Sequence, residues 1–430
     1  MADKTKNPNL LRRLASSLSD LRDRHRERHR ATGFGFAFAD RVDYLDGQRW
    51  DGLAAHGSIF LRTEVLRVLE NHGPENVQPR YAILFRAEKP AAILAAQIVS
   101  VGAESLRPER ARSSAKETPN VIGRTRARKG TSQFRERVLV AGNLLSWGFH
   151  SMAFAPDEDP AELWPGIAEA LYRIRRAEKL SGQTDFVMVK DLTEPIAERT
   201  GIDVLRRFSY RPLETEPNMV LEIDPSWRAY EDYLAALDAK YRRNAKDQMK
   251  KMSAAGCTVE PLADVASCSG RLHELYLAVH GNASVRLVTL AESYLPELAR
   301  ALGNDFRCSV ARLNGEIAGF ITSLRDGDTA IAYYIGFDRD AASAGLPLYL
   351  RLLHATIGDA IGWRCRRLSL GRTALEPKAA LGAKPEPMSI WLRHRVPAMN
   401  WMLRSLFSAV PHDEPPERKP FKSAKMEEKS

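Results

Sequence analysis

Two adjacent tyrosines, Tyr333 and Tyr334, lie in the apolar segment IAYYIGFDRDA (331–341), which has the composition of a β-strand. A tyrosine hydroxyl can donate a hydrogen bond or a proton, although the strand pattern alone gives neither residue a role in a reaction. Successive strand residues face opposite sides of a sheet, which predicts that one ring points into the core and the other away from it. Ordinary packing is the competing interpretation, because tyrosine is a common strand residue.

A strongly basic helical pattern, AKYRRNAKDQMKKM, covers residues 239–252. Arg242 and Arg243 could turn toward a groove and hold a phosphate or carboxylate in a forked geometry. A solvated amphipathic helix is an equally plain interpretation. A nucleic-acid surface is disfavoured, because the aromatic residues keep a core-facing period instead of forming a stacking platform. That period predicts three buried residues: Tyr241, Ala245 and Met249.

A second candidate anion site is the start of the helical pattern GLPLYLRLLHATIGDAIG (345–362). The first turn of a helix has unpaired N–H groups and a partial positive charge. Gly345, Leu346 and Leu348 are therefore candidate contacts of an anionic donor. An ordinary strand-to-helix turn is the alternative, because every helix has such an end.

Two cations flank the loop that follows the next strand pattern. Arg372 lies at the end of RRLSLGRT (366–373), and Lys378 follows six residues later. A cation at a strand end beside a cleft could bind the carboxylate of an acceptor, and solvated loop cations are the alternative. In the earlier part of the chain, Lys190 has a comparable place, next to Asp191, where a local salt bridge is the simple interpretation.

Composition limits the classes of function. The net charge of +10 favours an anionic partner, and no run of apolar residues is long enough to span a membrane. The four cysteines form no C-x-x-C pair and lie near no paired histidines, so we expect neither a metal site nor disulfides. The N-terminus lacks the apolar core of a secretory signal, which predicts a cytoplasmic protein. The apolar stretch 396–410 could contact a membrane surface.

The chain contains a diverged internal repeat. Two apolar hairpin patterns, 81–100 and 308–327, are each followed by another apolar strand pattern, 144–154 and 331–341. Each then leads to a helix with proline near its start and to a further strand. Pro165 precedes Lys190, and Pro347 precedes Arg372, both by 25 positions. We therefore predict that each half has the order helix, hairpin, strand, helix, strand, and that both prolines lie in a helix's first turn.

This order, in duplicate, resembles the GNAT acyltransferase fold, and more narrowly the tandem-GNAT proteins related to the Fem peptidoglycan aminoacyltransferases. The resemblance to these proteins rests on three segments: 51–73, the junction with the basic helix (208–260), and RRLSLGRTALEPKAALGAKPEPMSIWLRH (366–394). In the last segment, Lys378 and Gly382 match the Lys-x-x-x-Gly turn of the family. The Gly-rich pyrophosphate turn of ordinary GNAT enzymes is replaced here by DRDAASAGLPLYL (338–350).

The resemblance implies an α+β fold of two GNAT-like domains, each a mostly antiparallel mixed sheet flanked by helices. It implies transfer of an acyl or aminoacyl group from acyl-coenzyme A or aminoacyl-tRNA to an amine, with a cell-envelope precursor as a possible acceptor. In GNAT chemistry a tyrosine hydroxyl can protonate the departing thiolate, so the resemblance makes Tyr333 and Tyr334 candidates for catalysis. The rival hypothesis is a non-catalytic pair of such domains that binds a polymer or nucleic acid. The predicted divisions are a basic extension (1–44), a first domain (45–214) with a mobile loop (104–131), a second domain (215–395), and an apolar helix with a disordered tail (396–430).

Overall fold

The structure, a computed structural model, describes residues 30–102, 135–281, 286–400 and 418–422. Thirteen strands in these ranges belong to one mixed sheet. They are β1 (Gly35–Ala39), β2 (Val77–Arg86), β3 (Lys89–Gly102), β4 (Arg135–Ala141), β5 (Met152–Phe154), β6 (Thr184–Thr193), β7 (Arg211–Glu222), β8 (Cys257–Pro261), β9 (Phe306–Leu313), β10 (Glu316–Asp326), β11 (Thr329–Phe337), β12 (Arg367–Ser369) and β13 (Lys384–His394).

The helices that pack on this sheet come from both halves of the chain. They are α1 (Gly47–Ala54), α2 (Thr63–His72), α3 (Pro160–Ala177), α4 (Glu194–Thr200), α5 (Tyr230–Ala236), α6 (Ala239–Ala254), α7 (Ser269–His280), α8 (Tyr294–Leu302), α9 (Arg339–Ser343), α10 (Leu348–Gly362) and α11 (Leu375–Ala380).

The two halves repeat one order of elements. The first runs β1, α1, α2, β2, β3, β4, β5, α3, β6, α4, β7. After α5 and α6, the second runs β8, α7, α8, β9, β10, β11, α9, α10, β12, α11, β13, so the orders differ only at β5 and α9. In each half a hairpin leads to a strand, and a crossover helix returns the chain to a parallel neighbour: β4 pairs with β6, and β11 pairs with β12. The predicted α+β class with a mostly antiparallel sheet is confirmed.

The last strand of each half is exchanged. The order of strands along the sheet is β1-β2-β3-β4-β6-β13-β7-β12-β11-β10-β9-β8, with β5 attached to β3. β13 of the second half lies beside β6 of the first, and β7 of the first half lies beside β12 of the second. Trp391 on β13 is consequently buried in the core around α3, among first-half residues. The two halves therefore form one continuous sheet.

The helices before each hairpin share one face of the sheet. Residues of α2, α7 and α8 belong to a single apolar cluster, which joins the halves on this face. The crossover helices α3 and α10 pack in two separate clusters. Polar contacts also connect the halves. Arg62 forms an ion pair with Asp305 at 3.2 Å, and Asp326 accepts hydrogen bonds from the Ser58 hydroxyl and the Ile59 N–H.

Two elements of the predicted repeat are wrong. Residues 144–154 are mostly a loop with the short β5 at its end, because Gly142 and Gly148 have positive φ angles of 141° and 109°, which a strand does not allow. The counterpart of β11 is β4, which begins at the charged residue Arg135. Pro165 lies inside α3, which begins at Pro160, and Pro347 lies at the N-cap just before α10.

The predicted domain limits remain predictions, although the structure adds detail. Residues 35–39, within the predicted N-terminal extension, form β1, and the limit between residues 214 and 215 lies within β7. The predicted mobile loop (104–131) lies outside the described residues. Part of the predicted disordered tail is docked: the Asp238 N–H donates to the Pro420 carbonyl at 2.7 Å, and Phe421 packs against Trp227 and Tyr233.

Candidate active site

The strands β11 and β12 diverge in the middle of the second half. They pair only from Thr329 with Arg367 to Ile331 with Ser369, whereas β11 continues to Phe337. Beyond Ile331, the edge of β11 that faces β12 has no ladder partner among the described strands. Its backbone N–H and C=O groups are therefore free to contact a ligand, since a ladder would otherwise occupy them.

A β-bulge lies beside this opening. Ile335 pairs with Ile321 and Ala332 pairs with Ser323, so Tyr333 and Tyr334 together oppose the single residue Thr322. The expectation that the two rings face opposite sides is wrong, because the extra residue cancels the alternation. Both rings pack in the same cluster with centroids 4.6 Å apart, and the Tyr334 N–H donates to the Thr322 hydroxyl at 3.0 Å.

Both tyrosine hydroxyls are protonated and have partners. The hydroxyl of Tyr333 lies 2.9 Å from that of Tyr294, and the hydroxyl of Tyr334 donates to the Leu145 carbonyl at 3.1 Å. Burial raises the pKa of each phenol well above its ordinary value. Tyr333 is 4% exposed, whereas Tyr334 is only partly buried. The side chain of Tyr334 is therefore the more exposed of the two.

A loop from the first half lines the opening. We call residues 142–151, between β4 and β5, the 142–151 loop. The Trp147 indole N–H donates to the Ser369 hydroxyl on β12 at 2.9 Å, and its ring lies 6.3 Å from that of Tyr333 on β11. A Cβ on Gly371 would lie 3.1 Å from the Trp147 ring, so glycine lets the indole approach the chain after β12. Trp147 thus bridges the two diverging strands.

A buried charge cluster lies next to this loop. Asp191 is fully buried and accepts hydrogen bonds from the Lys190 ammonium, from the Gly148 N–H at 3.2 Å and from Arg372 Nη1 at 3.1 Å. Burial alone would raise the pKa of Asp191, but Lys190 and Arg372 outweigh burial and lower it. The predicted local pair therefore extends to Arg372, which joins the first half to the second.

The start of α10 differs in detail from the prediction. The N–H groups of Gly345, Leu346 and Leu348 already donate to carbonyls within the same turn. Those of the next two residues, Tyr349 and Leu350, have no acceptor among the described residues, and no side chain caps this end of the helix.

Arg351, which the sequence analysis missed, lies one residue further along α10. Its Nη1 contacts the Tyr230 hydroxyl at 3.3 Å, and that hydroxyl also lies 2.8 Å from His354 Nδ1. Burial lowers the pKa of His354 to about 3, so His354 is neutral there. From the sequence, Arg351 could be identified only through the principle that an arginine in a helix's first turn adds positive charge beside the free N–H groups.

The two predicted donor-binding arginines of the basic helix differ. Arg242 donates to the Leu237 carbonyl at 3.0 Å and so contacts the end of α5, whereas Arg243 is exposed. The helical pattern breaks at Asp238, which caps α6. The predicted stripe is wrong in part: Ala245 is buried, Tyr241 is partly buried, and Met249 is 38% exposed, while Gln248 is buried. Each step of four residues overshoots a full helical turn by about 40°, so Gln248 lies closer than Met249 to the buried face.

Lys378 lies on α11 and is 3% exposed. Burial lowers its pKa to about 7, and the charge of Glu216 opposes this effect. The described residues offer its ammonium group no hydrogen bond or ion pair. Among the described residues, no hydrogen bond or ion pair joins it to the charge cluster around Asp191, which includes the other predicted acceptor-binding cation, Arg372.

Comparison with known proteins gives a family match in the second half and a fold match over most of the chain. A family model described as an acetyltransferase (GNAT) domain matches residues 239–379. The crystal structure of FemX is similar over 84% of this chain and 98% of its own, with a TM-score of 0.52 and 10% identity. A tandem GNAT protein from the clavulanic acid biosynthesis pathway is similar over 85% and 99%, with a TM-score of 0.44 and 12% identity.

The C-terminal domain of a putative lysylphosphatidylglycerol synthetase from Agrobacterium fabrum is similar over 85% of this chain and 96% of that domain, with a TM-score of 0.46 and 11% identity. No curated protein sequence matches significantly. Residues 239–379 thus match a GNAT family model, and the chain has the fold of FemX. Within the described ranges, no helix is long and apolar enough to cross a membrane.

Proposed function

We propose that this chain is a GNAT-type N-acyltransferase whose reaction takes place in the second half. It transfers an acyl or aminoacyl group from an activated thioester or ester to an amine. The observation that supports this proposal most directly is the opening between β11 and β12 beside the bulge at Tyr333 and Tyr334. An unpaired strand edge supplies N–H groups at fixed positions, which suits a carbonyl that develops negative charge.

The reaction needs positioning more than strong chemistry. The amine nitrogen attacks the donor carbonyl, the C–N bond forms, and the C–S or C–O bond to the carrier breaks. The amine loses a proton, and the leaving thiolate or alkoxide gains one. The hydroxyl of Tyr334 supplies that proton, because its raised pKa keeps it protonated and its ring is only partly buried.

The donor's carrier is anionic in both candidate classes, acyl-coenzyme A and aminoacyl-tRNA. The free N–H groups of Tyr349 and Leu350 and the guanidinium of Arg351 would hold its phosphates at the start of α10. Arg243 is exposed and remains a candidate donor contact, as do Gly345, Leu346 and Leu348 in the preceding turn. Arg242 has a structural role at the end of α5 in addition.

A cell-envelope precursor is the acceptor that the resemblance to Fem peptidoglycan aminoacyltransferases suggests, and the similarity in fold to FemX is compatible with it. Lys378 could bind such an acceptor, since a buried amine without a carboxylate contact attracts an anion. Contact with a membrane surface through residues 396–410 is also a proposal, and most of that stretch lies outside the described residues.

Binding and turnover test this proposal together. Acetyl-coenzyme A, longer acyl-coenzyme As and aminoacyl-tRNA would each be added in thermal-shift measurements, since a ligand of the folded state raises the melting temperature. Amide formation with the donor that binds would then be measured for Tyr334→Phe. We expect kcat to fall by roughly 10²–10⁴-fold, the usual contribution of a positioned proton donor.

Tyr44→Phe is the matched control, because Tyr44 is 73% exposed and far from the bulge in the sheet. It should leave kcat unchanged. A chain that binds RNA of any sequence and no acyl donor would support the non-catalytic rival and contradict the enzyme.

A further inference from the structure

The charge cluster around Asp191 contains one carboxylate and two basic side chains, Lys190 and Arg372. Lys190 and the Gly148 N–H contact one carboxylate oxygen, and Arg372 contacts the other. Lys190 also donates to the Ser146 carbonyl at 2.6 Å. Two basic side chains therefore share this carboxylate, and Asp191 is the only acid that Arg372 contacts among the described residues.

Arg372 is fixed along one edge and open along the other. Its side chain is 32% exposed, whereas that of Asp191 is fully buried. Of its five N–H donors, one on Nη1 points to Asp191, and the rest have no acceptor among the described residues. A guanidinium that is held on one edge by a buried acid presents a preorganised fork to an oxyanion on the other.

The open edge lies at the same cleft as the proposed reaction. Arg372 directly follows Gly371, which lies against the Trp147 ring, and Trp147 contacts Tyr333 at the bulge. β11 and β12 run parallel and diverge toward their carboxyl ends, and Arg372 lies just past the end of β12. A small molecule with an amine and an anionic group could therefore reach the opening and Arg372 together.

We propose that the amine acceptor carries a carboxylate, and that Arg372, held in place by Asp191 and Lys190, binds it. The acceptor is thus an amino acid or a peptide-like amine with a free acid group. The proposal rests on the acyltransferase function above and names its acceptor class. It also gives the first half a role, because both positioning residues belong to β6.

A pair of acceptors that differ only in charge tests the proposal. Amines would be supplied as free acids and as their carboxamides, for example dialanine and its amide, with the donor that binds. We expect kcat/KM of the wild-type protein to be about tenfold to a hundredfold higher for the acids, the range for charged hydrogen bonds. In Arg372→Gln the ratio of acid to amide should fall to about one, and Arg372→Lys should recover part of it.

Arg366→Gln is the matched control, because Arg366 precedes the same strand, is 78% exposed and pairs only with Asp328 in the described chain. It should keep the wild-type ratio. A wild-type ratio near one, or equal losses for acid and amide in Arg372→Gln, would show that the cluster only joins the halves.

The same acids would also be titrated in thermal-shift measurements without donor. Stabilisation by the acids in the wild type, and its loss in Arg372→Gln, would support the carboxylate site even if no amide is formed. That result would separate failure of the catalytic proposal from failure of this one. Absence of any stabilisation together with absence of acid preference in turnover would overturn the inference.

Discussion

The two halves have the same order of elements, yet only one is open at its centre. β4 and β6 pair from Arg137 with Thr184 to the last residue of β4, whereas β11 and β12 pair over three residues and then diverge. The helix that follows differs in the same sense. In the first half Asp159 caps α3 with its carboxylate, and in the second half no side chain caps α10. The comparison suggests that the first half supports and the second half reacts.

The exchanged strands allow a strong test of this comparison. Trp391→Ala removes a ring that is 3% exposed, and we expect a loss of about 3–5 kcal/mol in the free energy of unfolding. Trp391 comes from the second half but lies in the first half's core, so one cooperative urea transition should shift as a whole. Two separate transitions, of which only one moves, would show that the halves are independent.

Two buried lysines differ in their partners, and pH should distinguish them. Burial lowers the pKa of both, but Lys190 contacts Asp191, which opposes the effect, whereas Lys378 has no such contact and burial lowers its pKa to about 7. Between pH 7 and about 10.5 the unfolded chain holds a proton on Lys378 that the folded chain lacks, so stability should rise with pH there.

The expected slope from Lys378 is up to about 1.4 kcal/mol per pH unit, and below pH 7 it should vanish. Urea unfolding at several pH values would measure it, and Lys378→Met should lower the slope, because Lys190, whose pKa burial also lowers, still contributes. The exposed Lys384→Met is the control and should retain it. A slope that is the same in both variants would contradict the lowered pKa.

Exchanging the helix caps is the test with the smallest expected effect. Pro347→Asp gives α10 the carboxylate cap that α3 has, which should weaken binding of the anionic donor by about tenfold, because the side chain occupies the free N–H groups and repels phosphate. Asp159→Ala is the reciprocal change. It should cost about 0.5–2 kcal/mol of stability and leave donor binding unchanged. Isothermal titration would measure donor binding, and urea unfolding would measure stability. If Pro347→Asp leaves the affinity for the donor unchanged, the donor does not bind at the start of α10.

The sequence predicts the features that depend on neighbours along the chain. The hairpin of β9 and β10 follows from alternating apolar residues around Asn314-Gly315, and β6 follows from an apolar run between polar segments. The bulge at Tyr333 does not follow, because it depends on how β11 aligns with β10. Sequence alone places Lys190 and Asp191 together, but their contact with Arg372 joins residues 181 positions apart.

Loops and helix breaks are similarly difficult. The 142–151 loop has an apolar composition that favours a strand, and only its two glycines with positive φ angles oppose that interpretation. Met249 follows Tyr241 by two steps of four residues, which drift around the helix, whereas the seven-residue step to Gln248 stays close to the buried face. Trp147 is likewise not identified as a site residue from the sequence, because no local sequence pattern indicates that its side chain reaches β12.

The exchange of β13 also has a consequence for synthesis of the chain. β6 ends at Thr193 and its outer partner begins at Lys384, about 190 residues later. At roughly 5–20 residues per second, the ribosome needs roughly 10–40 s to make that partner. Throughout this time the edge of β6 has unpaired N–H and C=O groups that can pair with another nascent chain. Growth at a lower temperature would slow synthesis and lengthen this interval. A chaperone that covers strand edges would protect the incomplete chain.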